Sequence, residues 1–296
     1  MSRWFHILLP LAALCMLSCR GGLDDPTVGH SMGEATARAK WLELPETSAT
    51  DGLDFFYRSC SINGKALRNY SFYWDNASRV SHWVAYPLCS AYLGTSGRSE
   101  AWGYDPLMPA AKQSNVSGGL RESDNGDYYA RGLQLSPAHR SANDDLNSTV
   151  FYSTNVVPMD DDFSRFVWPA LDEKILSWAA SSDTLYVVSG CVTEGAEHYV
   201  TDRSNNRVTV PAAFFKAVLR YVKDATVGHN GYMAVAFWYN HEGCTMVYSK
   251  ADSLSIADLE EKLGYGLFVN LDGIVGANVA STIKSEDPRN INWWWQ

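Results

Sequence analysis

Positive charge is scarce in this sequence. Of 296 residues, 24 are lysine or arginine against 33 aspartates and glutamates, and the net charge is −9. A chain of that sign does not draw polyanions from a distance, so any contact with nucleic acid has to come from a local basic patch. Long apolar runs are scarce too. One N-terminal stretch aside, no segment is long and apolar enough for a transmembrane helix. There are six cysteines, and their spacings match no zinc site. Internal repeats and low-complexity blocks are missing, which excludes a solenoid or a biased tail. With 46% hydrophobic and 19% charged residues, the composition excludes a disordered chain and fits a globular one. The length suffices for one large domain or two small ones.

The N-terminal apolar stretch runs from Trp4 to Leu17 behind Arg3. It is too short to span a bilayer and has the build of an export signal. It closes on Met16-Leu17-Ser18-Cys19, which resembles a bacterial lipobox. That resemblance implies cleavage before Cys19, lipid on its thiol, and a place in the bacterial cell envelope, anchored to the membrane on the exported side. The plainer alternative is an ordinary signal peptide with an incidental cysteine. Residues 1–18 are therefore read as a lipoprotein signal peptide and 19–52, rich in Gly, Asp, Thr and Pro, as a flexible tether. Residues 53–296 are read as the globular domain. Export leads to an oxidising compartment. There Cys60, Cys89, Cys191 and Cys244 can pair, and sequence alone cannot choose how. Cys60–Cys89 and Cys191–Cys244 are expected, because each pair joins neighbouring strand-like stretches.

Within the domain, Leu67–Trp74 alternates aromatic and polar side chains, Asp75–Ser78 reads as a turn, and Ser81–Leu88 as a second strand, which together predict a hairpin. Trp102–Asp127 is broken by Pro106, Pro109, Gly118, Gly119 and Gly126 and reads as loop. Thr149–Val157 is a strand candidate. Phe163–Ala179 places Phe163, Phe166, Val167, Leu171, Ile175 and Trp178 at helical spacing. Asp183–Val192 and Gly231–Tyr239 read as buried strands, and Pro211–Val222 is open between strand and helix. Ser255–Gly264 has an N-cap serine, an acidic first turn and a terminal glycine. Strands and helices mix without regular βαβ alternation, so the class is α+β.

The informative segment is Tyr129-Ala130-Arg131-Gly132-Leu133-Gln134-Leu135-Ser136-Pro137-Ala138-His139-Arg140. Thr154-Asn155-Val156-Val157-Pro158 follows, and then Phe163-Ser164-Arg165-Phe166-Val167-Trp168-Pro169-Ala170-Leu171-Asp172. These segments resemble the signatures D-R-G-H-x-x-P-x-x-D-R, T-N-x-x-P-Q and F-N-x-G-x-W-x-x-L-E of the DNA/RNA non-specific endonucleases, the ββα-metal or His-Me finger nucleases. Upstream, Arg98 with Trp102, Asp105 and Pro106 resembles that family's R-x-x-x-F-x-x-D-P. The hairpin, the run Val210–Lys216 and the close Leu259-Glu260 to Phe268 match further pieces in family order, over roughly residues 53–280. The resemblance implies a ββα-metal fold with a central, mostly antiparallel sheet flanked by helices. It implies hydrolysis of nucleic-acid phosphodiesters, with Mg²⁺ or Mn²⁺ as cofactor. A near-neutral histidine would act as general base, an asparagine would hold the cation, a glutamate would orient its water, and arginines would hold phosphate.

Carried over position by position, the resemblance puts Leu133 where the general base stands, beside a matching Arg131, and Ser164 where the metal-binding asparagine stands. Asp172 replaces the glutamate. His139 stands at the later aspartate, and Arg140 matches. Arg98, Arg131 and Arg140 are the phosphate-binding candidates, with internal salt bridges, for instance to Asp172, as the alternative. Leucine cannot accept a proton, and a hydroxyl is a poor substitute for an amide oxygen on a hard cation. The implied protein is a lipid-anchored family member with impaired hydrolysis, left to bind nucleic acid, a phosphorylated ligand or a protein. An active Mg²⁺-dependent endonuclease with a rearranged site, using His139 or Asp172, is a second reading. A surface glycan- or partner-binding lipoprotein using Trp293, Trp294 and Trp295 is a third; those rings packing back as a terminal strap is the plainer expectation. Asp160, Asp161 and Asp162 are read as an acidic turn at a helix N-terminus in preference to a relocated metal site.

Overall fold

The computed structural model describes residues 38–48, 52–120, 122–223, 226, 228–241, 243–244 and 247–296. The signal segment 1–18, Cys19 and residues 20–37 of the tether lie outside the described residues. Leu53–Ile62 (β1), Lys65–Asp75 (β2) and Val80–Leu88 (β3) form an antiparallel meander, in which Tyr73 pairs with Trp83 and Ser71 with Ala85. The predicted hairpin is its second half. The turn at its tip closes through the Arg79 amide on the Asp75 carbonyl and through the Asp75 carboxylate, which accepts from the Ala77 amide.

Further along lie Glu122–Ser123 (β4), Tyr129–Leu133 (β5), Val156–Asp160 (β6), Thr184–Val192 (β7), Tyr199–Thr201 (β8) and Arg207–Thr209 (β9). Ala213–Tyr221 (β10), Tyr232–Asn240 (β11) and Ser253–Leu254 (β12) complete the strands. Seven of them make one antiparallel sheet in the order β1-β2-β3-β7-β10-β11-β12. Pro211–Val222, open in the sequence, is thus a central strand from Ala213 onward. Its β-branched and aromatic residues are buried on both faces, as a central strand requires.

Both faces of the sheet carry a core. Tyr70, Phe72 and Trp74 of β2, Leu185 and Val187 of β7 and Phe214 and Val218 of β10 face one layer. Tyr73, Tyr186, Val188, Phe215, Ala217 and Leu219 face the other, as two-residue alternation dictates. The helices are Asp144–Ser148 (α1), Trp168–Ala179 (α2), Ile256–Leu263 (α3), Asp272–Val275 (α4) and Ala277–Ser285 (α5). Helix α2 packs Trp168, Leu171, Ile175 and Trp178 on the first layer, and α3 and α5 pack Ile256, Leu259, Ala280 and Ile283 on the second. Helix α3 begins and ends as its sequence requires: Ser255 Oγ accepts from the Asp258 amide, and Gly264 takes the left-handed conformation at φ 73°. The whole is the α+β fold that the sequence implies.

Three expectations need correction. The tether read to residue 52 ends earlier. Trp41, Leu42 and Leu44 are buried against the second layer, and buried Glu43 pairs with Arg68 at 2.9 Å. Thr149–Val157 is not one strand. Thr149–Phe151 and Ser153–Asn155 are 3₁₀ turns, and strand begins at Val156. There the Asn155 side chain competes with a ladder: it accepts from the Leu135 amide and donates to the Leu135 and Val150 carbonyls. Cys60, Cys89, Cys191 and Cys244 are all thiols. Cys60 and Cys89 lie on either side of β2, and two strand spacings, about 9.6 Å, exceed the roughly 7 Å a disulfide can bridge; the Cys191 thiol donates instead to the Ser81 carbonyl. The C-terminal tryptophans pack back on the domain, the plainer of the two expectations. Trp294 is buried edge-on against Trp178, Trp293 carries the Arg220 guanidinium at 3.7 Å, and Trp295 Nε1 donates to the Pro288 carbonyl.

Candidate phosphate-binding cleft beside the ββα finger

Strands β5 and β6 pair antiparallel, Leu133 with Val156 and Gly132 with Val157. The chain then enters α2 through a π-helical turn, Phe163–Val167. Three hydrogen bonds tie this ββα finger together. Trp168 Nε1 donates to the Leu133 carbonyl at 2.9 Å, joining helix to first strand. The Asp160 carboxylate accepts from the Phe163 amide at 3.0 Å, which is the acidic helix start read from the sequence. The Asp160 amide donates to Nε2 of His241 at 2.7 Å. Gly132 is needed for close approach, because a Cβ there would collide with the buried Met159 side chain on β6.

The wider π turn sets Asp161, Ser164 and Arg165 on one wall of an open cleft of about 340 Å³. Arg98, Glu100, Trp102, Arg131 and Tyr128 also line it. The Arg131 guanidinium lies 3.9 Å over the Trp102 ring, and its Nη1 donates to the Val116 carbonyl at 3.0 Å. Arg98 binds Glu100, whose second oxygen accepts from Trp102 Nε1 at 2.6 Å. Slight burial works against the Glu100 carboxylate, yet the hydrogen bond from Arg98 holds its pKa below the ordinary value. Arg165 pairs with Asp161 one turn earlier at 2.9 Å. Among the described residues, three arginines and two carboxylates line the cleft.

The expected site residues divide. Arg98, Arg131 and Ser164 come together in the cleft. Leu133 shares its strand face with Arg131 by alternation, but its side chain packs into the core at 7% exposure. His139, Arg140 and Asp172 lie elsewhere. His139 is fully buried. Its Nε2 lies 3.0 Å from the Asp172 carbonyl, which can only accept, so Nε2 carries the proton and Nδ1 accepts from the Tyr86 hydroxyl at 2.9 Å. Burial, helped by the Lys216 charge, brings its pKa down to about 3. Arg140 is buried too and donates to neutral acceptors: Asn69 Oδ1, and the Asn69, His139 and Pro87 carbonyls. It is a brace between strands and is not open to phosphate.

Asp172 is not salt-bridged to an arginine as considered above; it pairs with Lys216. Position 216 falls between Phe214 and Val218 on β10, so it faces α2. The ammonium sits 4.0 Å over the Trp168 ring. Burial is the largest influence on both partners, pushing the carboxyl up and the ammonium down against their mutual attraction. Among the described residues no histidine lines the cleft. The Arg165–Asp161 pair was open to discovery from its i, i+4 spacing. No local pattern marks Lys216 as the partner of Asp172, or His241 as the lock on β6.

The model of the DNA/RNA non-specific endonuclease family matches residues 51–273. The chain belongs to that family. A protein named "Nuclease" from Nostoc sp. (strain PCC 7120 / SAG 25.82 / UTEX 2576) is 25% identical over 224 residues, 73% of this chain and 76% of that protein. Among solved structures, the "EndoG/EndoGI complex" matches with a TM-score of 0.55 at 18% identity, over 72% of this chain and 86% of that one. That likeness supports the ββα-metal nuclease fold.

The ββα scaffold that the family implies is present. The cation the family implies is not matched by the donors here. Ser164 offers one neutral hydroxyl, and the two carboxylates lining the cleft already hold Arg98 and Arg165. Among the described residues no group of three His, Cys, Asp or Glu could hold a metal. On these donors the described residues do not fit Mg²⁺ or Mn²⁺.

Proposed function

We propose that this family member binds nucleic-acid phosphodiesters in the Arg98–Arg131–Arg165 cleft and has lost most or all hydrolysis. One observation supports the reading: Leu133, which the resemblance sets at the general-base position, is buried, and no histidine among the described residues lines the cleft. Each guanidinium can donate to phosphate oxygens in a forked geometry. Trp102 beneath Arg131 keeps that fork extended. Without a histidine to take the proton from water, bound phosphodiester is cut slowly at best; losing a general base alone costs about 10²–10⁴ in rate. The rearranged-site alternative is opposed by His139 and Asp172, whose side chains are committed within the core.

A plasmid-nicking assay with Mg²⁺ and with Mn²⁺ tests the loss. We expect no cutting above background. Cutting at ordinary enzymatic speed, silenced by one point substitution, would overturn it. Leu133→His combined with Ser164→Asn is the complementary variant, and metal-dependent cleavage regained by it supports a preserved cleft.

We also propose that the chain is anchored by lipid on Cys19 in the bacterial envelope. The support is the Met16-Leu17-Ser18-Cys19 segment behind an apolar run. In cells, Cys19→Ala should abolish fatty-acid labelling and move the chain from the membrane to the soluble fraction; unchanged labelling would refute the anchor.

A further inference from the structure

We infer that His241 is a positioning residue of the cleft: its neutral imidazole docks the ββα finger on the main sheet and so fixes the wall that carries Tyr129, Asp161 and Ser164. Its effect on ligand affinity rests on the cleft being a phosphodiester site; its docking role does not. The residue is fully buried, and two bonds hold it from the sheet side. Its amide donates to the Ala212 carbonyl at 2.9 Å, and Nδ1 lies 2.9 Å from the Pro211 carbonyl. A carbonyl only accepts, so Nδ1 carries the proton and Nε2 keeps a lone pair. That lone pair accepts from the Asp160 amide at 2.7 Å, across 81 residues of chain. The ring thus meets all three elements of the finger. Tyr129 of β5 lies 6.0 Å from it, Asp160 ends β6, and Phe163 opens the π turn at 5.7 Å. On the sheet side Phe214 of β10 packs edge-on at 4.8 Å. Each finger contact falls at a cleft residue or next to one: Tyr129 itself lines the cleft, Asp161 follows Asp160, and Ser164 follows Phe163. The titratable groups facing the ring are the Asp160 carboxylate and the Tyr129 hydroxyl; the π turn and β10 present phenyl rings. Burial, the largest influence, holds the His241 pKa below its ordinary value, against the Pro211 hydrogen bond and the Asp160 charge. The ring is therefore neutral at neutral pH, as an acceptor must be. Without the Nε2 lone pair the Asp160 amide would be left buried and unpaired, which favours release of the finger from the sheet.

The test compares His241→Gln, His241→Asn and His241→Phe with the parent, as full chains in detergent micelles. Glutamine can bring an acceptor oxygen as far out as Nε2. Asparagine can keep the Pro211 bond but falls short of Asp160, and phenylalanine keeps only the ring packing. The first readout is hydrogen–deuterium exchange over residues 156–168. We expect about tenfold faster exchange there in His241→Asn and His241→Phe, for the one latch bond lost, and exchange close to the parent's in His241→Gln. Exchange in β7 and β10 should match the parent in all three, which separates release of the finger from global unfolding. The second readout is affinity for a labelled oligothymidylate, by fluorescence anisotropy. It should fall about tenfold in His241→Asn and His241→Phe and be kept in His241→Gln. Unchanged exchange in His241→Asn and His241→Phe, or glutamine as damaging as asparagine, would overturn the docking role. Faster exchange with unchanged affinity would overturn its link to the cleft. If the parent binds no oligothymidylate, the phosphodiester reading fails, while the exchange pattern still confirms or refutes the latch.

Discussion

At the scale of single residues, two buried polar groups show positions of the family signature serving the core. His139 is a neutral strut between the Tyr86 hydroxyl and the Asp172 carbonyl. Its pKa is lowered from 6.5 to about 3, so between those values the unfolded chain binds a proton that the folded chain does not. The stability it contributes is complete above about pH 6.5 and is lost as pH falls toward 3. Urea midpoints should therefore drop from about pH 7 to about pH 5, and His139→Gln should flatten that slope. At neutral pH the same variant should cost about 1–3 kcal/mol through the partners it leaves unsatisfied. The Asp172–Lys216 pair carries a second prediction. Lys216→Met leaves a buried carboxylate without its cation and should cost about 3–5 kcal/mol in chemical denaturation, whereas adding Asp172→Leu should restore most of it.

At the scale of elements, the ββα finger is a packing unit. The β5–β6 pair is drawn close at Gly132, whose missing Cβ makes room for Met159, and Trp168 ties the helix to the Leu133 carbonyl. Gly132→Ala should overpack the finger and cost about 1–3 kcal/mol. Met159→Ala alone should also destabilise, through the void it leaves. Combined, the two should cost less than their sum, because the cut side chain accommodates the new methyl. An additive result in thermal or urea unfolding would mean that the strands are not in the described register. The finger's order of elements is legible in the sequence because Arg131-Gly132, Thr154-Asn155 and Trp168 are short-range patterns. That His241 locks β6 from a loop 81 residues away is not.

At the scale of the whole molecule, one sheet is covered on both faces, and the covering pieces come from distant parts of the chain. Trp41, Leu42 and Leu44 close the second layer from the N-terminal side, and Trp294 closes the first from the C-terminal end. Trp294→Ala should remove a fully buried ring and cost about 3–5 kcal/mol, seen as a fall in Tm. A variant as stable as the parent would show that the last residues are not part of the core. Among the described residues, the cleft of this acidic chain is lined by three arginines. Binding of polyanions should accordingly weaken with salt, with a slope that reports only a few phosphate contacts.

The sequence by itself determined the sheet-and-helix content, the cap and stop of α3, and the order of motifs that places the chain in its nuclease family. Each of these is written in periodicities and spacings of a few residues, and neighbours along the chain are enough to express them. It also fixed that position 133 cannot accept a proton, since a leucine has no site for one in any fold. Only the tertiary structure decided that His139, Arg140 and Asp172 turn inward, that Lys216 and not an arginine answers Asp172, and that residues 41–45 belong to the domain. Those outcomes depend on partners 25 to 71 residues apart. Burial and pairing there are settled by which face of the sheet each side chain happens to share, and no local pattern records that.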